Sequence, residues 1–246
     1  MPMDFEALEA AIGYRFRDRS LFELALTHPS RQRTMPGFQL NNQRLEFLGD
    51  AILNTILAAE LYCRNPLYRE GDLTRARAAL ANGPRLAAMA ARMGLDEALL
   101  VGTAEETSGV RQRISALEDA LESVAGAVFL DSGYETARRV VLAWYGDLDA
   151  AVQEGLLEAN PKGCLQEVVQ PVLGNEAIRY ELLAETGPEH AKHFSVVLFV
   201  KDVEIARGAG VTKQSAEAVA ARAALKGKAL KSILSKHVQG ARPRQS

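Results

Sequence analysis

The sequence predicts two unlike domains in series, an all-α domain followed by a small α+β domain of order α-β-β-β-α. Three observations carry that prediction. From Phe5 to about Glu158 apolar residues recur at three and four, Ala and Leu dominate, and breaks fall at Thr34-Met35-Pro36-Gly37 and Asn82-Gly83-Pro84; this is the helical period with turn punctuation. Beyond Ala159-Asn160-Pro161 come three β-rich runs, Ile178 to Glu185, His193 to Val200 and Val203 to Arg207. The last two are separated by Lys201-Asp202, the two-residue spacing of a hairpin. The charge balance changes at the same boundary: residues 160–246 carry 13 Lys+Arg against 8 Asp+Glu, whereas residues 1–159 carry 16 against 23. An acidic front half joined to a basic back half is what a separate polyanion-binding module produces.

A chain of 246 residues, 48% hydrophobic and 24% charged, can bury a substantial core in one or two domains. No apolar run approaches the roughly 18 residues of a membrane span, and the N-terminus, MPMDFEALEAAIGYRF, lacks a basic-then-apolar leader pattern. Both point to a cytoplasmic protein with no membrane partner. Cys63 and Cys164 are far apart and have no Cys or His at metal-ligand spacing, which reads as two reduced structural thiols.

In the helical half, two segments stand out. Residues 43 to 59 hold Glu46 and Asp50 at i and i+4 among Leu45, Phe47, Leu48, Ala51, Ile52, Leu53, Ile56 and Leu57. The two carboxylates therefore share one face, with Cβ atoms about 5–6 Å apart, on a helix whose apolar residues cover nearly the whole circumference. Such a helix is expected to be buried. Residues 117 to 130 place Asp119 and Glu122 at i and i+3 on a second largely apolar helix. Acidic pairs at these spacings are also common on solvated faces. In apolar surroundings, however, two like charges need compensation that Arg44 cannot give to both, and a bound divalent cation can. Gly49 and Gly126 sit beside the two pairs; a mid-helix Gly weakens a helix by about 1 kcal/mol relative to Ala, so close approach of the two backbones is the expected reason for them. Four carboxylates and no nitrogen or sulfur ligand suit Mg²⁺ or Mn²⁺ rather than Zn²⁺, and phosphodiester hydrolysis is the natural chemistry of such a site. No Ser/His/acid or Cys/His constellation is visible. His28, before Pro29, reads as a packed, hydrogen-bonded residue rather than a base.

In the second half, the Asn160-Pro161 pair marks the boundary, a short helix runs from about Leu165 to Gln170, the three strands follow, and an Ala-rich helix extends from Lys213 to about Ser232. The expected division is residues 1–158, residues 159–232, and a basic, unstructured tail 233–246.

The run Asn42-Gln43-Arg44-Leu45-Glu46-Phe47-Leu48-Gly49-Asp50-Ala51-Ile52-Leu53 resembles the signature of the bacterial ribonuclease III family, NERLEFLGDxxL. Ala25-Leu26-Thr27-His28-Pro29-Ser30, Glu70-Gly71-Asp72-Leu73-Thr74 and Asp119-Ala120-Leu121-Glu122, the last followed by Gly126 to Gly133, resemble further segments of the same family in the same order. The back half resembles the double-stranded-RNA-binding domain at Lys162, Leu165-Gln166-Glu167, Gly187-Pro188-Glu189-His190, Phe194, Gly208-Ala209-Gly210, Thr212-Lys213 and Ala216. The resemblance implies an all-α endonuclease domain followed by an α+β double-stranded-RNA-binding domain. It implies that Glu46 and Glu122 ligate Mg²⁺, for which Mn²⁺ can substitute, with Asp50 and Asp119 completing the set and Asp50 and Glu122 counted as catalytic. It further implies hydrolysis of duplex RNA by a metal-activated water to 5′-phosphate and 3′-hydroxyl ends with short 3′ overhangs, a homodimer in which each subunit cuts one strand, and a role in processing rRNA and mRNA precursors. A two-fold dimer matches the two-fold relation of the duplex strands, and Phe47 and Leu48 are candidates for its interface.

In the second domain Gln166, Glu167, His190, Thr212 and Lys213 are the implied RNA contacts; A-form RNA is read through its shape, phosphates and 2′-hydroxyls. Four positions depart from the pattern. Gln43 replaces a Glu that, with Glu70, would form the outer acidic valley. Thr107 and Gln214 stand where Lys is usual, and Gly163 where Thr is usual. The competing readings are a double-stranded-RNA-binding protein that does not cleave, and a helical metal phosphohydrolase of small nucleotides. Intact Glu46, Asp50, Asp119 and Glu122 speak against the first, and the basic module against the second.

Overall fold

The computed structural model describes residues 4–33, 40–188 and 191–240. It divides into two compact units, Met1–Val152 and Gln153–Ser246. The first contains α1 (Phe5–Ile12), α2 (Arg19–Ala25), α3 (Gln43–Arg64), α4 (Glu70–Leu80), α5 (Gly83–Arg92), α6 (Leu95–Ala98), α7 (Thr103–Glu106), α8 (Ile114–Ser132), α9 (Tyr134–Tyr145) and the start of α10 (Leu148–Ala159). Among its described residues the β structure is a single bridge between Thr27 and Leu100, so the unit is all-α as its periodicity predicts. The break at 34–37 lies outside the described residues.

Helices α3 and α8, 22 and 19 residues long, pack along each other at the centre. Leu53, Ile56, Leu57 and Leu61 from one meet a core that includes Leu121, Val124, Ala125 and Val128 from the other, all essentially inaccessible. The two glycines explain how closely they approach. A Cβ on Gly126 would lie 2.5 Å from the Leu45 carbonyl oxygen, and one on Gly49 would lie 2.5 Å from the Glu122 carbonyl carbon and overlap its oxygen. The buried Ser123 hydroxyl donates to the Asn42 carbonyl at 3.1 Å, fixing one helix along the other. The expectation that α3 is buried all round needs correcting: Phe47 is 81% exposed, and Asp50 and Ala51 beside it are exposed too. The apolar stripe is wider than the core that α8 and its neighbours supply.

The second unit holds the end of α10, α11 (Pro161–Leu173), β1 (Ile178–Thr186), β2 (His193–Val200), β3 (Val203–Gly210), α12 (Lys213–Lys226) and α13 (Lys228–Gly240). Helix α11 begins earlier than the sequence reading placed it, because Asn160 accepts from the Gly163 amide at 3.0 Å as N-cap and Pro161 occupies the first turn; Pro is preorganised for that position. The sheet is antiparallel in the order β1-β2-β3, with Ile178 opposite Val200 and Val200 opposite Val203. Lys201 and Asp202 form the predicted two-residue turn with φ of 46° and 63°, both left-handed as a tight hairpin requires. The inner sheet face, with Val196, Leu198 and Val200, packs on Leu165 and Val169 of α11 and on Ala216, Ala220 and Ala224 of α12.

Two features differ from the sequence reading. The division between units falls within α10, after Val152, while Asn160-Pro161 marks the start of α11. The segment expected to be an unstructured tail from 233 on continues as α13 to Gly240, since Leu230, Ile233 and Leu234, at helical spacing, join the core. The end of that tail, 241–246, lies outside the described residues.

Candidate metal centre and nucleic-acid interface

Helices α3 and α8 each carry an acidic pair, and their packing turns the pairs toward each other. One carboxylate oxygen from each of Glu46, Asp119 and Glu122 lies within 4.8 Å of the other two. Glu122 is buried and Glu46 and Asp119 are half-buried. No Lys or Arg is paired with any of them among the described residues. The electrostatic consequence is large. Burial, then the charges of Asp50, Glu118, Asp119 and Glu46, push the Glu122 carboxyl up to about 8. Burial, then Glu46 and Glu118, push Asp119 up to about 6. Burial and Asp50 raise Glu46 as well. Like charges brought together without a cation disfavour ionisation. An all-oxygen donor set in this state fits a hard divalent cation, which would reverse those shifts.

Asp50 is on the same face of α3 but is exposed and outside the trio; its Oδ1 accepts from the Asn54 amide at 2.6 Å. Gln43 is exposed at the first position of α3, and Glu70, exposed at the start of α4, accepts from the Thr74 hydroxyl at 3.0 Å. A fifth acidic group, Glu118, was not singled out from the sequence. It is half-buried, and burial, then Asp50 and Glu46, raise its pKa. Its signal in the sequence is spacing, Glu118 and Glu122 at i and i+4; the structure adds Gly83 opposite, which leaves the space its carboxylate occupies.

Other motif residues hold the frame. Asp131, in the segment that follows Glu122, accepts from the Tyr14 hydroxyl at 2.5 Å and from the Arg17 and Asp18 amides at 2.8 and 3.0 Å. His28 Nδ1 accepts from the Ser30 amide at 3.1 Å, and the Ser30 hydroxyl accepts from the Gly102 amide at 3.0 Å.

In the second unit Gln166 and Glu167 are exposed on the first turns of α11. Lys162, beside them, bridges to Glu217 of α12 at 2.5 Å and lies over the Tyr180 ring, tying the two helix starts together. Thr212 caps α12 by accepting from the Ser215 amide at 3.0 Å. Lys213 follows it, exposed, its Nζ 5.9 Å from the Phe194 ring centre. Because Phe194 pairs with Gly210 and His193 with Thr186, the connection from β1 to β2 emerges at the same end of the sheet as Lys213. His190, in that connection, lies outside the described residues.

Comparison with known proteins agrees with this organisation. Residues 18–147 match the family described as Ribonuclease-III-like, and residues 161–227 match the double-stranded RNA binding motif. Ribonuclease 3 of Coxiella burnetii is 40% identical over 215 residues, covering 86% of this chain and 88% of the relative. That of Symbiobacterium thermophilum is 43% identical, covering 87% and 90%. Among solved structures, the nuclease domain of ribonuclease III from Campylobacter jejuni, whose description refers to a region involved in dimer formation, is similar at a TM-score of 0.54 and 38% identity, covering 57% of this chain and 95% of that one. The chain belongs to the ribonuclease III family and is an endoribonuclease of that type, its all-α nuclease domain followed by a double-stranded-RNA-binding domain.

Proposed function

We propose that this endoribonuclease cuts double-stranded RNA at the Glu46, Asp119 and Glu122 cluster by Mg²⁺-dependent hydrolysis, with Mn²⁺ able to substitute. The observation that carries the reading is the convergence of three carboxylate oxygens from two helices within 4.8 Å, with no Lys or Arg paired to them among the described residues. When bound, the cation supplies Lewis-acid activation of water and stabilises the departing oxygen. Water oxygen adds to phosphorus and the bond from phosphorus to the 3′ oxygen breaks, leaving 5′-phosphate and 3′-hydroxyl ends. Glu122, whose raised pKa keeps a proton on its carboxyl near neutrality, gives that proton up to bind. Asp119 and Glu46 complete the donor set, and exposed Asp50 faces the solvent side, where RNA approaches. In the second domain Gln166, Glu167, Thr212 and Lys213, with His190, hold the duplex by phosphates and 2′-hydroxyls.

Incubating the native chain with a labelled duplex of 30–40 base pairs, about two module footprints of ~16 base pairs, should give fragments with 5′-phosphates and short 3′ overhangs in Mg²⁺ or Mn²⁺, and none in EDTA. A duplex that is shifted but uncut in either metal would make the chain a binding protein. On the family alone, we assign it structured rRNA and mRNA precursors as substrates and the cytoplasm as its place of action.

The working form is a homodimer, and Phe47, 81% exposed with Ala51 exposed one turn on, supports that. Phe47→Asp is expected to yield a monomer in sedimentation at micromolar concentration; a variant that remains dimeric moves the interface elsewhere. Lys213 stands at the positive end of α12, a phosphate-binding position. Lys213→Ala is expected to weaken duplex binding evenly across sequences and to lower the salt slope of log K by about 1, as read by anisotropy over a KCl series. An unchanged slope would take Lys213 off the phosphates.

A further inference from the structure

We propose that Glu118 is a fifth carboxylate of the metal centre, a positioning residue that strengthens divalent-cation binding by charge without being one of the three ligands. Its place is built by two helices. It precedes Asp119 on α8, and the packing of α5 against α8 sets Gly83 opposite it. A Cβ on Gly83 would lie 2.5 Å from Glu118 Oε2, 2.9 Å from Cδ and 3.0 Å from Oε1. The carboxylate therefore occupies the space that a side chain on the first residue of α5 would fill. Asn82 caps that helix, accepting from the Arg85 amide at 3.0 Å, so the carboxylate also sits at the positive end of a ten-residue helix.

That seat fixes the direction of the carboxylate. Glu118 is half-buried and has no Lys or Arg partner among the described residues, and it stands one residue before Asp119 and one turn before Glu122 on α8, a spacing at which like charges on a helix act on each other. A carboxylate held beside a buried acidic trio weakens the metal-free fold and strengthens the loaded one, which is the behaviour of a group serving the cation. If Glu118 served only as an anion at the start of α5, it would stabilise the metal-free fold and leave cation affinity alone.

The inference rests on the assignment of the trio as the cation site, and the test separates the two. Mn²⁺ binding to the full chain, read from the loss of the free-ion EPR signal, is compared for the native protein, Glu118→Gln, Gly83→Ala, the double variant and Glu122→Gln, with Tm of each metal-free form. Removing a group that supports a metal from outside its ligand set weakens affinity by about tenfold or more, so Glu118→Gln should raise the Mn²⁺ dissociation constant about tenfold with an equal or higher metal-free Tm. Gly83→Ala displaces only the end of a flexible side chain and should weaken binding in the same direction, with little further loss in the double variant. A Glu118→Gln constant within about twofold of native, or a lowered metal-free Tm with unchanged affinity, overturns the inference. Weakening by Glu118→Gln alone, with Glu122→Gln like native, would overturn the trio and with it the supporting role of Glu118, and a native chain that binds no Mn²⁺ overturns both.

Discussion

Glu122→Gln is expected to leave the duplex bound and uncut. Losing a group that merely supports a metal ligand lowers affinity or activity by 10- to 100-fold, and Glu122 is itself one of the three converging donors, so cleavage should fall by at least about a hundredfold. RNA binding, which belongs to the second unit, should be unchanged in a gel shift. The same substitution should raise the stability of the metal-free protein. Between the ordinary value of 4.5 and about 8 the unfolded chain releases a proton that the folded carboxyl keeps, so the metal-free native protein loses stability as pH rises through that window. Gln does not titrate, and the variant should escape the loss. Discounted for partial solvent screening, the gain above pH 8 is roughly 2 kcal/mol, or about 5 °C in Tm, and it should vanish near pH 4. Cation affinity of the native chain should rise over the same window, since binding competes with the proton. A variant that cuts within tenfold of native would remove Glu122 from the donor set, and a metal-free Tm lower than native at pH 8 would mean that the carboxyl is held by a cationic partner instead.

What the sequence made legible followed from periodicity and spacing. Glu46 with Asp50, and Asp119 with Glu122, share helix faces because 3.6 residues per turn puts them there, and the strands and the Lys201-Asp202 turn were readable from alternation and a two-residue gap. What it hid came from neighbours in space. Glu118 stands one turn before Glu122, at i and i+4, and shares its face by the same rule; what spacing does not show is the bare Cα of Gly83 on α5, which makes room for its carboxylate. Periodicity alone reads Phe47 as core, because a helix apolar all round is ordinarily enclosed, and only the family resemblance makes it an interface candidate; its exposure depends on how wide a face α8 and its neighbours cover. The segment beyond residue 232 reads as a tail because its end, Gly240 to Ser246, is polar and basic, while Leu230, Ile233 and Leu234 become visible as a helix face only once a core exists to receive them.

The glycines of α3 and α8 were informative from the sequence because a mid-helix Gly is unfavourable and needs a cause. The cause yields the largest stability effect expected here. Gly49→Ala should destabilise the first domain by about 4 kcal/mol or more, in the range reserved for a few named mechanisms. The added Cβ would overlap the Glu122 carbonyl oxygen and reach 3.0 Å from the Gly126 amide nitrogen, and both are backbone atoms of a helix, so no side chain can turn aside. Relief requires α3 and α8 to separate along a seam that includes Leu45, Leu53, Leu121 and Val124, and interiors packed to crystal-like density absorb such displacements poorly. Separation would also spread Glu46 from Glu122, so any folded fraction should bind Mn²⁺ more weakly than native. Urea unfolding of the metal-free variant should show a midpoint well below native with a similar slope. If the variant unfolds within about 1 kcal/mol of native, the two backbones do not meet at Gly49. The convergence of carboxylates would then need another origin, because the same contact that forbids a methyl group at residue 49 brings Glu46 beside Asp119 and Glu122.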